Sequence, residues 1–394
     1  MDVVDPNFGI KANLTGLGVS TTVQSGTDEI ENYKRYEQFI MFQFIMIGIL
    51  GYTVMTIGVI GNCLSFSVLS RGWKDSSIYV YLSGIAVADL LTLVTMAFMK
   101  ADTLSPDMMK MIQIRTQFSN YLIPYFHPLS LGFQLVSIYM TVALTVDRFI
   151  YICLPFKASF MCRPSRAWKV VVGLYVACML YQIPRWFEFE TKVSFDKEYN
   201  NTVALLAPTE LARHYLYRHI NFIWLYIPVA LALPILALCI LNGLLIHAVI
   251  KSNKDGKVIG ATTENQDKST TIMLISVVIF FLLCQMPALF QNFIYAEFVD
   301  FNVPPNFPYL YFNVVSTFLI LLNSSANIFI YCYFGPRFRN ELAKQFKECC
   351  GRCSHRSAEN SYKAATPCCP MYTRRVSGMS ATSETELTDV NWIR

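Results

Sequence analysis

Residues Ile78–Met99 read IYVYLSGIAVADLLTLVTMAFM, an unbroken apolar run with one charged side chain, Asp89. A bilayer core takes about 20 such residues as a helix, so the run reads as a membrane crossing. Six more runs of that length lie around it: Phe39–Leu69, Ser119–Cys153, Ala167–Trp186, Phe222–Ile250, Thr270–Tyr295 and Tyr309–Phe334. Pro124, His127 and Pro128 punctuate the third span, and Lys169 sits early in the fourth. The expectation is an all-α membrane protein, a seven-helix bundle over residues 39–335. It is preceded by an outer tail (1–38) and followed by an amphipathic stretch with a cysteine cluster (336–353) and a disordered Ser/Thr-rich tail (354–394).

Composition agrees with this. Of the 394 residues 54% are hydrophobic and 15% charged, with mean hydropathy +0.39. Soluble domains carry about a quarter charged residues, so an ordinary cytosolic enzyme is excluded. With 29 Phe and 22 Tyr the chain is too aromatic for general disorder. A net charge of +5 gives no reason to expect a nucleic acid partner.

Lys and Arg set the orientation. Arg71 and Lys74 follow the first span, and Arg148, Lys157, Arg163, Arg166 and Lys169 surround the end of the third. Lys251, Lys254, Lys257 and Lys268 follow the fifth, and Arg337, Arg339, Lys344 and Lys347 the seventh. Those ends are expected in the cytoplasm, with the N-terminus outside and the chain in the plasma membrane. Residues 1–36 lack a basic-then-apolar start, so the first span is expected to act as its own insertion signal. The sequons at Asn13 and Asn200 fall on the outer side in this orientation.

The predicted outer segments hold none of the 12 cysteines, so no disulfide framework is expected. Cys349, Cys350 and Cys353 follow the basic amphipathic stretch and read as S-acylation sites at the membrane lipid. A zinc site there lacks a second ligand pair. Apart from the Na⁺ considered next, no other metal or cofactor is expected, and no HExxH or GxSxG supplies an enzyme's nucleophile or metal.

Polar residues inside spans ask for partners. Asn62, Asp89, Ser137, Asn323 and Asn327 can satisfy one another around a small hydrated pocket holding Na⁺ against Asp89, or as a hydrogen-bond knot without an ion. Asp147 and Arg148 close the third span. They read either as an interfacial anchor or, with Asp267 at the start of the sixth span, as a clip across the cytoplasmic face whose release frees span six.

In order along the chain stand Gly61-Asn62, Leu82–Asp89, Asp147-Arg148-Phe149, Pro234, Cys284-Gln-Met-Pro287 and Asn327-Ile-Phe-Ile-Tyr331. As a set they resemble the rhodopsin-like (class A) G-protein-coupled receptors. The resemblance implies a G-protein switch at Asp147, Arg148, Asp267 and Tyr331, and an activation core of Ile138, Pro234 and Phe281. It also implies a heterotrimeric G protein as partner, with arrestin and a receptor kinase to follow. The family's usual outer disulfide has no cysteines here, so the second outer loop is expected to be held by packing of Trp186, Phe187 and Phe189. Gln285 stands for the family's tryptophan, Ile328 for its span-seven proline and Asn242 for a span-five tyrosine. Leu321 replaces the retinal lysine and Ser130 the aminergic aspartate, which points away from both ligands.

Val146–Lys157 and Tyr181–Glu190 resemble invertebrate FMRFamide-type neuropeptide receptors. An amidated, arginine-bearing peptide would find carboxylates at Glu188, Glu190, Glu297 and Asp300 and rings at Tyr295 and Tyr309. Gln134, Gln285, Gln291 and Asn292 are candidates for its amide end. The rival class is a multi-pass transporter or channel, for which no internal repeat is visible.

Overall fold

The computed structural model describes residues 26–104, 116–196, 201–254, 261–298, 306–336, 338–345 and 347. Residues 1–343 and 344–394 cluster as two units; in the second, the described residues 344, 345 and 347 are helical. Among the described residues seven helical stretches are long and apolar enough to cross a bilayer. They are Lys34–Gly72, Ser77–Met99, Ser119–Cys153, Pro164–Phe187, Tyr215–Ala248, Ile275–Ile294 and Phe307–Tyr333.

Several ends differ from expectation. The first helix begins at Gly26, inside what reads as a polar tail, and an Arg35–Glu31 pair at 2.6 Å one turn apart supports it. The third runs unbroken over Thr116–Cys153 despite Pro124 and Pro128, because neighbouring spans can satisfy the freed backbone groups. The fourth starts earlier, with Pro164 in its first turn where a missing N–H costs nothing, and tightens to a 3₁₀ turn over Ile183–Phe187. The fifth opens as a wider, π-helical segment over His219–Ala232 that contains Pro228. The sixth extends over Ala261–Phe298.

Between the fourth and fifth spans lies an element absent from the sequence reading: an antiparallel hairpin of β1 (Phe189–Asp196) and β2 (Asn201–Pro208), with Phe189 opposite Pro208 and Asp196 opposite Asn201. Its signal was the alternation of Phe189, Thr191, Val193 and Phe195 with Glu190, Lys192, Ser194 and Asp196.

Two thirds of the second span's most apolar window is buried against about a fifth of the fourth's (67% and 22%), so the second runs through the middle and the fourth lies at the edge. The main core joins Val68, Leu69, Val80, Leu82 and Ile85 with Met140, Leu144 and Val171. Ile60, Val172, Leu236, Ile240 and Leu283 point outward, as lipid-facing residues do. Tyrosines tie the helices through backbone carbonyls: Tyr52 Oη donates to Ala97 O at 2.6 Å, Tyr175 Oη to Gly84 O at 3.0 Å and Tyr139 Oη to Val229 O at 2.7 Å.

Small residues let the first, second and seventh spans touch. A Cβ on Gly58 would stand 2.7 Å from both Leu93 Cδ1 and Ser325 Cβ, whereas one on Gly173 would meet nothing within 4 Å. Gly58→Ala should therefore lower the melting temperature of the purified protein, a cost of about 1–3 kcal/mol from overpacking. Gly173→Ala should leave it unchanged or raise it by helix propensity. Equal shifts in a thermal melt would contradict the packing.

Candidate functional site

At one end of the bundle the third span finishes in Asp147 and Arg148, both buried, at 6% and 7% exposure. Their side chains pair directly. Ser77, at the start of the second span, donates through Oγ to Asp147 Oδ2 at 2.8 Å and accepts from Arg148 Nη2 at 3.4 Å. The guanidinium also lies 4.9 Å from the Tyr151 ring centroid. A buried ion pair breaks even only when its remaining hydrogen-bonding groups are met, and here Arg148 Nε has no partner. Cys162, beyond the short helix Pro155–Met161, donates to Asp147 O at 3.4 Å. Burial, then the adjacent Asp147, pushes its thiol up to about 11, so it stays neutral. Asp267 lies in the sixth helix with its side chain outside the described residues, so the expected clip is described only on its span-two and span-three side. Ser77 is the partner that sequence reading missed; only its place beside the N-cap Ser76 marks it.

Tyr331 is buried with its ring 5.6 Å from that of Phe338 and its hydroxyl unpartnered. Residues 338–345 are helical, and Arg339 Nη1 donates to the carbonyls of Cys332 and Tyr333 at 2.9 and 2.7 Å, capping the seventh span's end.

Midway along, Asn327 Nδ2 donates to Asp89 Oδ2 at 2.6 Å, and Ser137 and Ser324 flank the same carboxylate. Asn62 Nδ2 bridges Gly58 O and Ser324 O, both at 2.9 Å. Asp89 Oδ1 is buried without a hydrogen-bond partner. Asn323 is half-buried and makes no hydrogen bond within this group; its neighbour Ser324 takes the place expected for it. Ile138 and Phe281 pack with Leu238 and Val278 in one cluster, with Pro234 buried one turn before Leu238.

At the opposite end, Gln134 Nε2 reaches Ser130 Oγ at 3.4 Å, Gln285 is buried, and Asn292 Nδ2 donates to Tyr226 Oη at 3.3 Å. Tyr309 stands beside Gln291 and Asn313. The side chains of Tyr295 and Glu297, all of Asp300, and Asn13, Asn200, Cys349, Cys350 and Cys353 lie outside the described residues.

Two expectations need correction here. Glu188 is not a free carboxylate for a ligand: it is 2% exposed and bound to Arg185, Tyr217 and Asn221. Burial raises its pKa more than those partners lower it. Nor do Trp186 and Phe187 hold the loop by packing, since they are 36% and 62% exposed. A 3₁₀ turn has three residues per revolution, so Arg185 and Glu188 share one face and turn inward while Trp186 and Phe187 turn out. Phe189 does pack, edge-on to His127 with ring centroids 6.3 Å apart. Glu190 remains exposed, beside Lys192 at 3.1 Å.

Residues 61–331 match the family described as 7 transmembrane receptor (rhodopsin family), and the chain belongs to it. Membership sets aside the transporter or channel reading. Among individual relatives, it is 27% identical over 302 residues to the FMRFamide receptor of Drosophila melanogaster, covering 75% of this chain and 53% of that receptor. The chain thus spans about half the length of the fly protein. It is 26% identical over 369 residues to the probable G-protein coupled receptor frpr-1 of Caenorhabditis elegans, covering 89% and 91% of the two chains. The FMRFamide peptide receptor frpr-18 of the same nematode is 25% identical over 341 residues, 84% and 74% of the respective lengths.

Because Asn327 is the hydrogen-bond donor on Asp89 Oδ2, Asn327→Ala should destabilise the purified protein by about 1–3 kcal/mol. Tyr331→Phe removes a hydroxyl without a partner and should cost nothing measurable. A thermal melt that ranks them the other way would contradict this description of the core.

Proposed function

We propose that the chain is a receptor for an extracellular neuropeptide, an amidated RFamide-like one, that activates a heterotrimeric G protein. It would sit in the plasma membrane with the N-terminus outside and the Arg148 end in the cytoplasm. The observation that carries this reading is the buried Arg148–Asp147 pair with Ser77 at one end of a rhodopsin-family bundle. The peptide class is supported by the likeness to the fly and nematode FMRFamide receptors.

The residues would divide the work as follows. Exposed Glu190, with Glu297 and Asp300, attracts a cationic peptide at the outer end, and Tyr295 and Tyr309 offer aromatic faces. Gln134, Gln285, Gln291 and Asn292 meet its amide end. The Ile138–Phe281 cluster lies between that end and the switch, and its repacking would shift spans five and six. At the inner end Arg148 exchanges Asp147 and Ser77 for the G protein, and Tyr331 moves with span seven. Arrestin and a receptor kinase would follow at the same face.

Asp89 would carry a modulating Na⁺. Its buried, unpartnered Oδ1 and the flanking Ser137 and Ser324 suit a small hard cation, which takes oxygen ligands. Bound there, the ion supplies positive charge that neutralises the carboxylate, while Asn327 orients the other oxygen. Glycans at Asn13 and Asn200 and acyl chains at Cys349, Cys350 and Cys353 complete the proposal.

In membranes holding the chain, synthetic amidated Phe-Met-Arg-Phe should accelerate guanine-nucleotide exchange on added G proteins. Arg148→Ala should cut that exchange by about tenfold or more while leaving peptide binding measurable; exchange at the wild-type rate would contradict the switch. Sodium chloride, compared with choline chloride, should raise the melting temperature of the wild type and not of Asp89→Asn. An equal response in both would remove the ion from the proposal.

A further inference from the structure

The chain between the fourth and fifth spans contains no cysteine, so no cross-link of its own can fix the β1–β2 hairpin to the helices. Its stem nevertheless carries several polar ties among the described residues. Glu188 immediately precedes β1, and its carbonyl accepts from Thr209 N at 2.9 Å, just after β2. Thr209 Oγ1 donates to Phe187 O at 2.6 Å, closing the base of the hairpin a second time. The Glu188 side chain leaves the stem and enters span five. Its Oε1 accepts from Tyr217 Oη and Asn221 Nδ2, both at 3.0 Å, and its Oε2 from Arg185 Nη1 at 3.3 Å.

Arg185 comes from the end of span four, 5% exposed. Its guanidinium carbon lies 3.8 Å from the centroid of the Phe222 ring and 5.5 Å from that of Tyr226. Tyr226 in turn receives Asn292 of span six. One planar cation therefore has its charge met by the hairpin stem and its flat face by span five. Arginine suits this better than lysine, because its planar guanidinium stacks on a ring while its edge pairs with the carboxylate. Among the described residues, Asn120 Nδ2 also donates to Ala204 O at 2.9 Å, Thr191 Oγ1 to Asn120 O at 2.7 Å, and Arg213 Nε to Pro208 O at 3.4 Å at the exposed end of β2.

We propose that Arg185 and Glu188 are positioning residues, a non-covalent staple that holds the 189–208 hairpin on spans four and five. The purpose of the staple, presenting the hairpin to a peptide, rests on the receptor reading; its existence does not.

The test is amide hydrogen exchange of residues 189–208 in the full chain, in phosphatidylcholine nanodiscs without ligand. Arg185→Ala should speed hairpin exchange by about tenfold or more. Millimolar guanidinium chloride should slow it again by refilling the vacated cage, whereas sodium chloride of equal ionic strength should not. Arg185→Lys should fall between wild type and alanine. Glu188→Gln, of equal size, should speed exchange without a guanidinium response. Unchanged hairpin exchange in Arg185→Ala, or faster exchange that guanidinium leaves untouched, overturns the staple. Should Arg185→Ala fail to accumulate, Phe222→Leu removes the stacking face while leaving Arg185 and Glu188 in place and should still speed exchange; exchange at the wild-type rate there overturns it equally. A wild-type protein that fails to bind amidated Phe-Met-Arg-Phe would sink the peptide reading and leave these outcomes to decide the staple.

Discussion

A charged group inside a bilayer-spanning bundle has only its neighbours to satisfy it, and the arrangement of this molecule follows from that constraint. Arg148 at the end of span three is buried with Asp147 beside it and Ser77 across from it, so two helices meet at one guanidinium. The backbone obeys the same rule, which is why the crossings are helical. The connection between spans four and five can be a hairpin because it lies beyond the helix ends. Removing one partner of a buried pair leaves an uncompensated charge and costs several kcal/mol. Such pairs are therefore either intact or replaced by another partner, which is the behaviour a two-state element needs.

Among the described residues, three of the polar centres along the bundle differ in how completely they are satisfied. At the hairpin end, Glu188 has three side-chain partners and Arg185 a carboxylate and two rings, a closed arrangement suited to holding a loop in place. In the middle, Asp89 keeps one oxygen without a partner, and at the far end Arg148 keeps Nε without one. Unmet buried groups are costly. On the receptor reading these two are the places where something else binds: a cation in one case and the G protein in the other. The Ile138–Phe281 cluster is apolar, so a change at that point is carried by packing.

The seven crossings were legible because apolar length is a strong signal, and the second span, with a single Asp in a long apolar run, shows it most clearly. Helix ends were less legible. Gly26–Glu37 is polar and joins the first helix through local pairing, and prolines at 124 and 128 do not break the third. The motif residues Asp89, Asn327, Asp147 and Arg148 stood out as charges or amides in apolar surroundings. Their partners Ser77 and Ser324 did not, since a serine in a span is unremarkable. The hairpin stem is hidden from the sequence for a different reason. Acidic residues in a connector are usually solvated, and nothing local shows that a 3₁₀ turn carries Arg185 and Glu188 to the inside while Trp186 and Phe187 face out.

On the receptor reading, the Arg148 end opens when a peptide binds at the hairpin end. Spin labels at position 153, on the last turn of span three, and at position 268, on the sixth helix, would report it through their distance distribution in nanodiscs. The account predicts a population at longer distance once amidated Phe-Met-Arg-Phe and a nucleotide-free G protein are both present. An unchanged distribution, in a sample whose nucleotide exchange has been stimulated, would contradict it.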